Sequence, residues 1–280
     1  MYIKIWGCRG SVPTPGESTL RYGGNTTCLE IRTKTGCLLV VDAGSGIRLL
    51  GKKLLQREDD RSFCLLLTHA HWDHLVGFPF FGPAYNSRYT IRVCGGTVAR
   101  DSIRDALSQH MEAPYFPMAF EMMEADFHFE CQNVGDDCCH GDKIETIPLN
   151  HPNGGCGFKV TEDGRSFIFL TDNELGFAHE GGLSRDEYVE VCRDADLLLH
   201  DAQYTADEYR RTKGWGHSTI SDAVDLALAA NVRRLGLFHH DPDRTDDDIE
   251  VQVGLCQDRI RVAGLDLEVF AVAEDMIITV

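Results

Sequence analysis

The sequence of 280 residues contains no unbroken apolar run of about 18 residues, so no membrane-spanning helix is expected. Positive charge is scarce. Against 44 Asp+Glu stand only 27 Lys+Arg, a formal net charge of -17. That balance argues against the broad electrostatic footprint that a polymeric nucleic acid needs, and against such a partner. It leaves room for a small anionic substrate, because a bound cation reverses the local field. The plainest role of the charge is solubility. Signal-peptide features are also missing: Met1-Tyr2-Ile3-Lys4-Ile5-Trp6 runs straight into strand-like sequence, and a cytoplasmic location is expected. The 11 cysteines are odd in number, scattered and without Cys-x-x-Cys spacing, which predicts reduced thiols. Cys138-Cys139-His140 could offer thiolate ligands, but adjacent cysteines are poorly spaced for a metal. No repeat or low-complexity linker divides the chain, so one domain over residues 1–280 is expected.

What the chain does have is Thr68-His69-Ala70-His71-Trp72-Asp73-His74, directly after the apolar run Phe63-Cys64-Leu65-Leu66-Leu67. Three imidazoles and a carboxylate within six residues, at the end of a buried strand, suit a metal better than ordinary packing. The spacing is not that of His-Glu-x-x-His, which needs a helix. His69 and His71 fall on one side of an extended segment, and Asp73 and His74 on the turn that follows.

Other apolar runs end in similar residues. Cys37–Val41 ends at Asp42, Ile144–Leu149 near His151, Phe167–Thr171 at Asp172, Leu197–Leu199 at His200-Asp201, and Leu235–Phe238 at His239-His240. Strand ends converging on one edge are where open α/β sheets build their sites. Helical periodicity predicts a helix over about Thr219–Ala230, with Ile220, Ala223, Val224, Ala227 and Leu228 on its apolar face. Thr219 and Asp222 resemble a capping box. His217-Ser218 lies just before that N-terminus, a favourable place for an anion. Ser184–Arg193 and Val98–His110 are further helix candidates. Ala113-Pro114-Tyr115-Phe116-Pro117-Met118 breaks helical structure and reads as a wall over the site or a packed surface loop.

Asp42, the His-x-His-x-Asp-His cluster, His151, Asp172 and a late His together resemble the metallo-β-lactamase superfamily. Gly7-Cys8-Arg9-Gly10-Ser11-Val12-Pro13-Thr14-Pro15, Gly24-Asn25-Thr26-Thr27 and Gly216-His217-Ser218-Thr219 look like its phosphodiesterase branch. That branch holds ribonuclease Z and small cyclic-phosphate or cyclic-nucleotide phosphodiesterases. The resemblance implies an α/β (α+β) fold, a four-layer αββα sandwich with two metal ions at one edge. It implies His69, His71 and His151 on the first ion and Asp73, His74 and the last His on the second. Asp172 would bridge them. His239, directly after its strand like His69, is favoured as that last ligand, with His240 the alternative. Asp42 would orient the His-rich turn.

Two divalent ions about 3.5–4 Å apart can share a water as nucleophile, lower its pKa and neutralise charge on a phosphodiester. Zn²⁺ is the first choice from ligand type, with Mn²⁺ or Fe²⁺ also fitting. Asp73 could also accept a proton from the shared water, and His217 could stabilise or protonate the leaving oxygen. Trp72 stands where ribonuclease Z usually has a small residue, and no Lys-rich arm for a tRNA is visible. These departures favour a small phosphodiester, a cyclic nucleotide or cyclic phosphate. The alternatives are a thioester or lactone hydrolase, a ribonuclease Z-like endonuclease, or a sensor without turnover. Homodimers fit the resemblance, but the sequence locates no interface. His110, His128, His140 and His179 read as surface or structural residues; Trp72 and Phe78-Pro79-Phe80-Phe81 read as pocket wall or core.

Overall fold

A computed structural model describes residues 1–95, 103–129, 134 and 143–280. It consists of two sheets face to face. The first has β1 (Tyr2–Gly7), β2 (Cys28–Arg32), β3 (Leu38–Val41), β4 (Ser62–Leu67), β5 (Thr90–Gly95), β6 (Asp126–His128) and β13 (Ile277–Thr279), ordered β13-β1-β2-β3-β4-β5-β6. The second has β7 (Lys143–Pro148), β8 (Cys156–Glu162), β9 (Arg165–Leu170), β10 (Leu197–Asp201), β11 (Arg234–Phe238) and β12 (Glu268–Ala271), ordered β12-β11-β10-β9-β8-β7.

Alternation along the strands explains the layers. In β3, Leu39 and Val41 enter the core between the sheets, while Leu38 and Val40 face the helix Ile47–Leu54. In β4, Cys64 and Leu66 face inward and Phe63, Leu65 and Leu67 outward. In the second sheet, Phe167, Phe169, Leu197 and Leu199 meet the first sheet. Ile168, Leu170, Leu198 and Leu235 pack under the helices Arg185–Cys192, Ile220–Ala229 and Asp246–Ala263. Because both faces of these strands are covered, they read as continuous apolar runs. The result is the expected αββα sandwich.

Parallel pairing of β3 with β4, and of β9 with β10 and β10 with β11, sends their C-terminal ends to one edge. At that edge the sheets are tied together. Cys156 N donates to Thr68 O (2.9 Å), Gly10 N to His240 O (2.9 Å) and His240 N to Cys8 O (3.1 Å).

Helix expectations hold in part. Ile220–Ala229 is capped by Thr219, whose hydroxyl accepts from Asp222 N at 3.0 Å. Ser184 caps Arg185–Cys192 in a full capping box. Of the candidate Val98–His110, the described part is helical at Ile103–Gln109, and residues 96–102 lie outside the described residues. The helix Asp246–Ala263 escaped the sequence reading: its buried Ile249, Cys256 and Ile260 are too widely spaced to stand out. The expectation of reduced thiols is corrected for Cys37, Cys64 and Cys94, which are disulfide-bonded. Cys64 lies in β4 and Cys94 in β5, and Cys37 directly precedes β3. Cys8, Cys28, Cys192 and Cys256 are free and buried, and Cys156 is buried. Cys138-Cys139-His140 lies outside the described residues. Among the described residues, no helix is long and apolar enough to cross a membrane.

Candidate metal centre

Four of the residues at this edge share an unusual backbone. Asp42, Asp172 and His239, each just past a strand, have φ of 60°, 50° and 61°, and Ser11 has 62°. Left-handed backbone is costly for residues other than glycine and clusters where geometry is functionally constrained. Here it turns each side chain from the strand end into the gap between the sheets.

Among the described residues, three groups of donors result, the atoms of each within 4.8 Å of one another. His69, His71 and His151 form one and Asp73, His74, Asp172 and His239 another; Asp172, Asp201, His217 and His239 form a third, in which Asp201 is paired with His217. Asp172 faces both of the first two. Its Oδ2 lies 3.7 Å from His69 Nε2 and 3.8 Å from His151 Nε2. Its Oδ1 lies 3.2 Å from His74 Nε2 and 3.2 Å from His239 Nε2. Asp73 Oδ2 is 3.4 Å from His74 Nε2 and 3.3 Å from His239 Nε2, and accepts from Ser11 N at 2.9 Å.

The outer ring nitrogens are occupied, which aims the inner ones. His74 Nδ1 meets Asp42 Oδ2 at 2.8 Å, and Asp42 also accepts from Thr68 N (2.8 Å) and the Thr68 hydroxyl. His69 Nδ1 meets the Thr68 hydroxyl at 3.0 Å. His151 Nδ1 donates to Gly216 O at 2.9 Å, and His239 Nδ1 to Gln203 Oε1 at 2.9 Å. Such partners fix the tautomer and leave a lone pair pointing inward. Nevertheless, the buried Nε2 atoms of His69 and His74 make no hydrogen bond. Buried polar atoms are rarely left so, and a cation bound between them would supply the missing partner.

Charge tells the same story. Burial holds His69 and His71 below the usual histidine range and His151 down at about 4, so these rings are neutral and free to ligate. Burial also opposes charge on His74, but Asp73, Asp172 and Asp42 outweigh it and raise that ring. Burial would raise Asp73 and Asp172 too; the surrounding imidazoles hold both below the usual carboxylate range. Three carboxylates buried around one imidazole call for further positive charge.

His217 is buried beside this group. Its Nδ1 lies 2.7 Å from Asp201 Oδ2 and 3.9 Å from Asp172 Oδ2, and its ring stacks on His239 with centroids 4.9 Å apart. Burial works against its charged form, but Asp201 prevails and raises it to about 9.

The structure thus brings together His69, His71, Asp73, His74, His151, Asp172, His239 and His217, with Asp42 behind them. It does not bring in His240, whose Nε2 donates to Val272 O at 2.8 Å, away from the cluster. His110 is bonded to Ala106 O and His128 to Asp126, while His179 contacts the buried Glu174. Trp72 is 53% exposed beside the cluster rather than part of the core. Sequence reasoning missed Gln203 and Glu174, and took Gly216 only as part of the Gly216-His217-Ser218-Thr219 motif. Asp201, read as a strand-end carboxylate, is the partner of His217. Gly216 has a reason legible only in three dimensions: at φ 95°, a Cβ there would sit 2.0 Å from His151 Nδ1.

Comparison with known proteins accords with this arrangement. A model of the β-lactamase superfamily domain matches residues 38–240. A protein of Natronomonas pharaonis named Ribonuclease Z is 44% identical, over 85% of this chain and 86% of its own. The crystal structure of the short form of human tRNase Z matches with a TM-score of 0.64 at 20% identity, covering 100% of this chain and 99% of that one. A diphosphatase from the PhnP family matches with a TM-score of 0.66 at 14% identity, covering 100% and 97%. At such identities the two structures speak for the fold alone. The Natronomonas relative overturns one expectation, that the acidic balance speaks against a polymeric nucleic acid as partner. Net charge is a sum over the whole chain, whereas contact with a phosphate is decided by the local field, which bound cations reverse. The chain belongs to the metallo-β-lactamase superfamily and is a hydrolase of its phosphodiesterase branch.

Proposed function

We propose that this edge binds two divalent metal ions and hydrolyses a phosphodiester. The observation that carries the reading is the pair of buried, unbonded Nε2 atoms of His69 and His74, set against the two separate oxygens of Asp172. His69, His71 and His151 would hold one ion and Asp73, His74 and His239 the other, with Asp172 within reach of both. The mixed imidazole and carboxylate set suits Zn²⁺ first, and Mn²⁺ or Fe²⁺ next. When bound, the ions supply a water of lowered pKa and neutralise charge on the phosphoryl group.

The protein's own residues do the rest. Asp73, fixed by Ser11 N, is placed to accept a proton from the attacking water. His217, charged because Asp201 faces its Nδ1, turns its other nitrogen to the departing alkoxide and gives up a proton there. The burial of both groups keeps bulk water from competing for these protons.

Cyclic nucleotides and cyclic phosphates are the small substrates this chemistry admits. A second reading, cleavage of RNA, is favoured by the 44% identical relative named Ribonuclease Z. Metal-replete protein assayed on bis-p-nitrophenyl phosphate, a cyclic-nucleotide panel and an RNA with a 3′ extension separates the two. No turnover of any of them with zinc or manganese bound would end the proposal.

A further inference from the structure

We infer that Glu174 is a positioning residue: its buried carboxylate folds the Gly214–His217 loop around itself and thereby aims both His151 and His217. The inference rests on the reading of those two histidines given above. Glu174 is fully buried. Its Oε1 accepts from Gly214 N at 2.7 Å and the Tyr209 hydroxyl at 2.5 Å. Its Oε2 accepts from Gly216 N at 2.7 Å and meets His179 Nε2 at 2.8 Å. Gly214 and Gly216 both have positive φ, 88° and 95°, so the two N–H groups flanking Trp215 converge on one anion. Backbone nests of this kind ordinarily cradle a bound anion; here the anion is a side chain of the protein.

The neighbours of Glu174 extend the contact. Ser218 Oγ donates to Asn173 O at 2.5 Å and accepts from Leu175 N at 3.0 Å. Segment 172–175, which begins with Asp172, is therefore stitched to segment 214–218. Gly216 is the pivot: its N–H is held by Glu174 and its carbonyl orients His151. The next residue is His217. Nothing in Glu174 needs to touch substrate or metal for its loss to reach both.

The test is Glu174→Gln, with Tyr209→Phe as the companion. The amide replaces one acceptor oxygen by a donor, so at least one loop N–H loses its partner. Zn²⁺ affinity, read by competition with a chromophoric chelator, is expected to fall about 10–100-fold. The kcat on bis-p-nitrophenyl phosphate should fall by about the same factor, with KM within about twofold. Tyr209→Phe keeps both loop N–H bonds and should leave Zn²⁺ affinity within about twofold. A folded Glu174→Gln protein with wild-type Zn²⁺ affinity overturns the inference. So does an equal loss of affinity in both variants, which would make the hydroxyl rather than the loop the operative contact. Should Glu174→Gln not fold, hydrogen exchange on the wild-type protein decides: slow exchange at Gly214 and Gly216 supports the tether, and free-peptide rates there overturn it. If the wild-type protein cleaves no phosphodiester, the function fails, and the Zn²⁺ arm still judges Glu174.

Discussion

His217 Nδ1 and Asp201 Oδ2 lie 2.7 Å apart, both residues buried. The other Asp201 oxygen accepts from Ser218 N and Gln203 N, both at 3.1 Å. One carboxylate therefore holds the proposed proton donor and the backbone of the residue that orients His239. His217→Ala should lower phosphodiester turnover about 10²–10⁴-fold while keeping its metal. Asp201→Asn should also lower turnover, by less, because the ring remains but loses the charge that favours its protonated form. Metal analysis beside kcat checks both; loss of metal from His217→Ala would refute the role.

Asp172→Asn keeps the shape of the bridge and removes its charge. Elemental analysis after gel filtration should show at least one ion per chain lost. Full occupancy at two ions would mean that Asp172 does not span them.

The adjacent imidazoles should behave oppositely. His239→Gln should release metal. His240→Gln should keep it, because His240 is spent on Val272 O. Its cost should appear in stability, at about 1 kcal/mol for a lost buried hydrogen bond. Thermal denaturation and metal content of the two proteins check this.

Gly216→Ala adds one methyl group where a Cβ would fall 2.0 Å from His151 Nδ1, at a backbone angle that alanine disfavours. The expected result is weaker metal binding with a loss of stability of about 1–3 kcal/mol. An Ala variant indistinguishable from wild type in chelator competition would show that this contact is dispensable.

Much of this site can be read in the sequence because apolar strands stop abruptly at donors. Leu38–Val41 stops at Asp42, β4 at His69, β9 at Asp172 and β11 at His239, and the pattern survives without any coordinates. The choice between His239 and His240 is harder, since both follow the strand. It is made by the backbone: His239 at φ 61° turns into the gap, and His240 continues toward Val272. Gln203 and Glu174 carry no pattern at all. Each acts on residues distant in sequence: Gln203 on His239, 36 positions away, and Glu174 on Gly214, 40 positions away. The Asp246–Ala263 helix was hidden because its exposed Val251, Leu255 and Val262 blur the apolar face.

The two donor groups share one property of origin. His69 and His71 come from the first sheet and His151 from the second; Asp73 and His74 come from the first and His239 from the second. Each ion would therefore be gripped by both halves of the sandwich, like a rivet through two plates. Stripping the metals would do more than silence the chemistry. It would leave buried carboxylates facing one another across the seam, and the plates would begin to part there while the apolar centre still held.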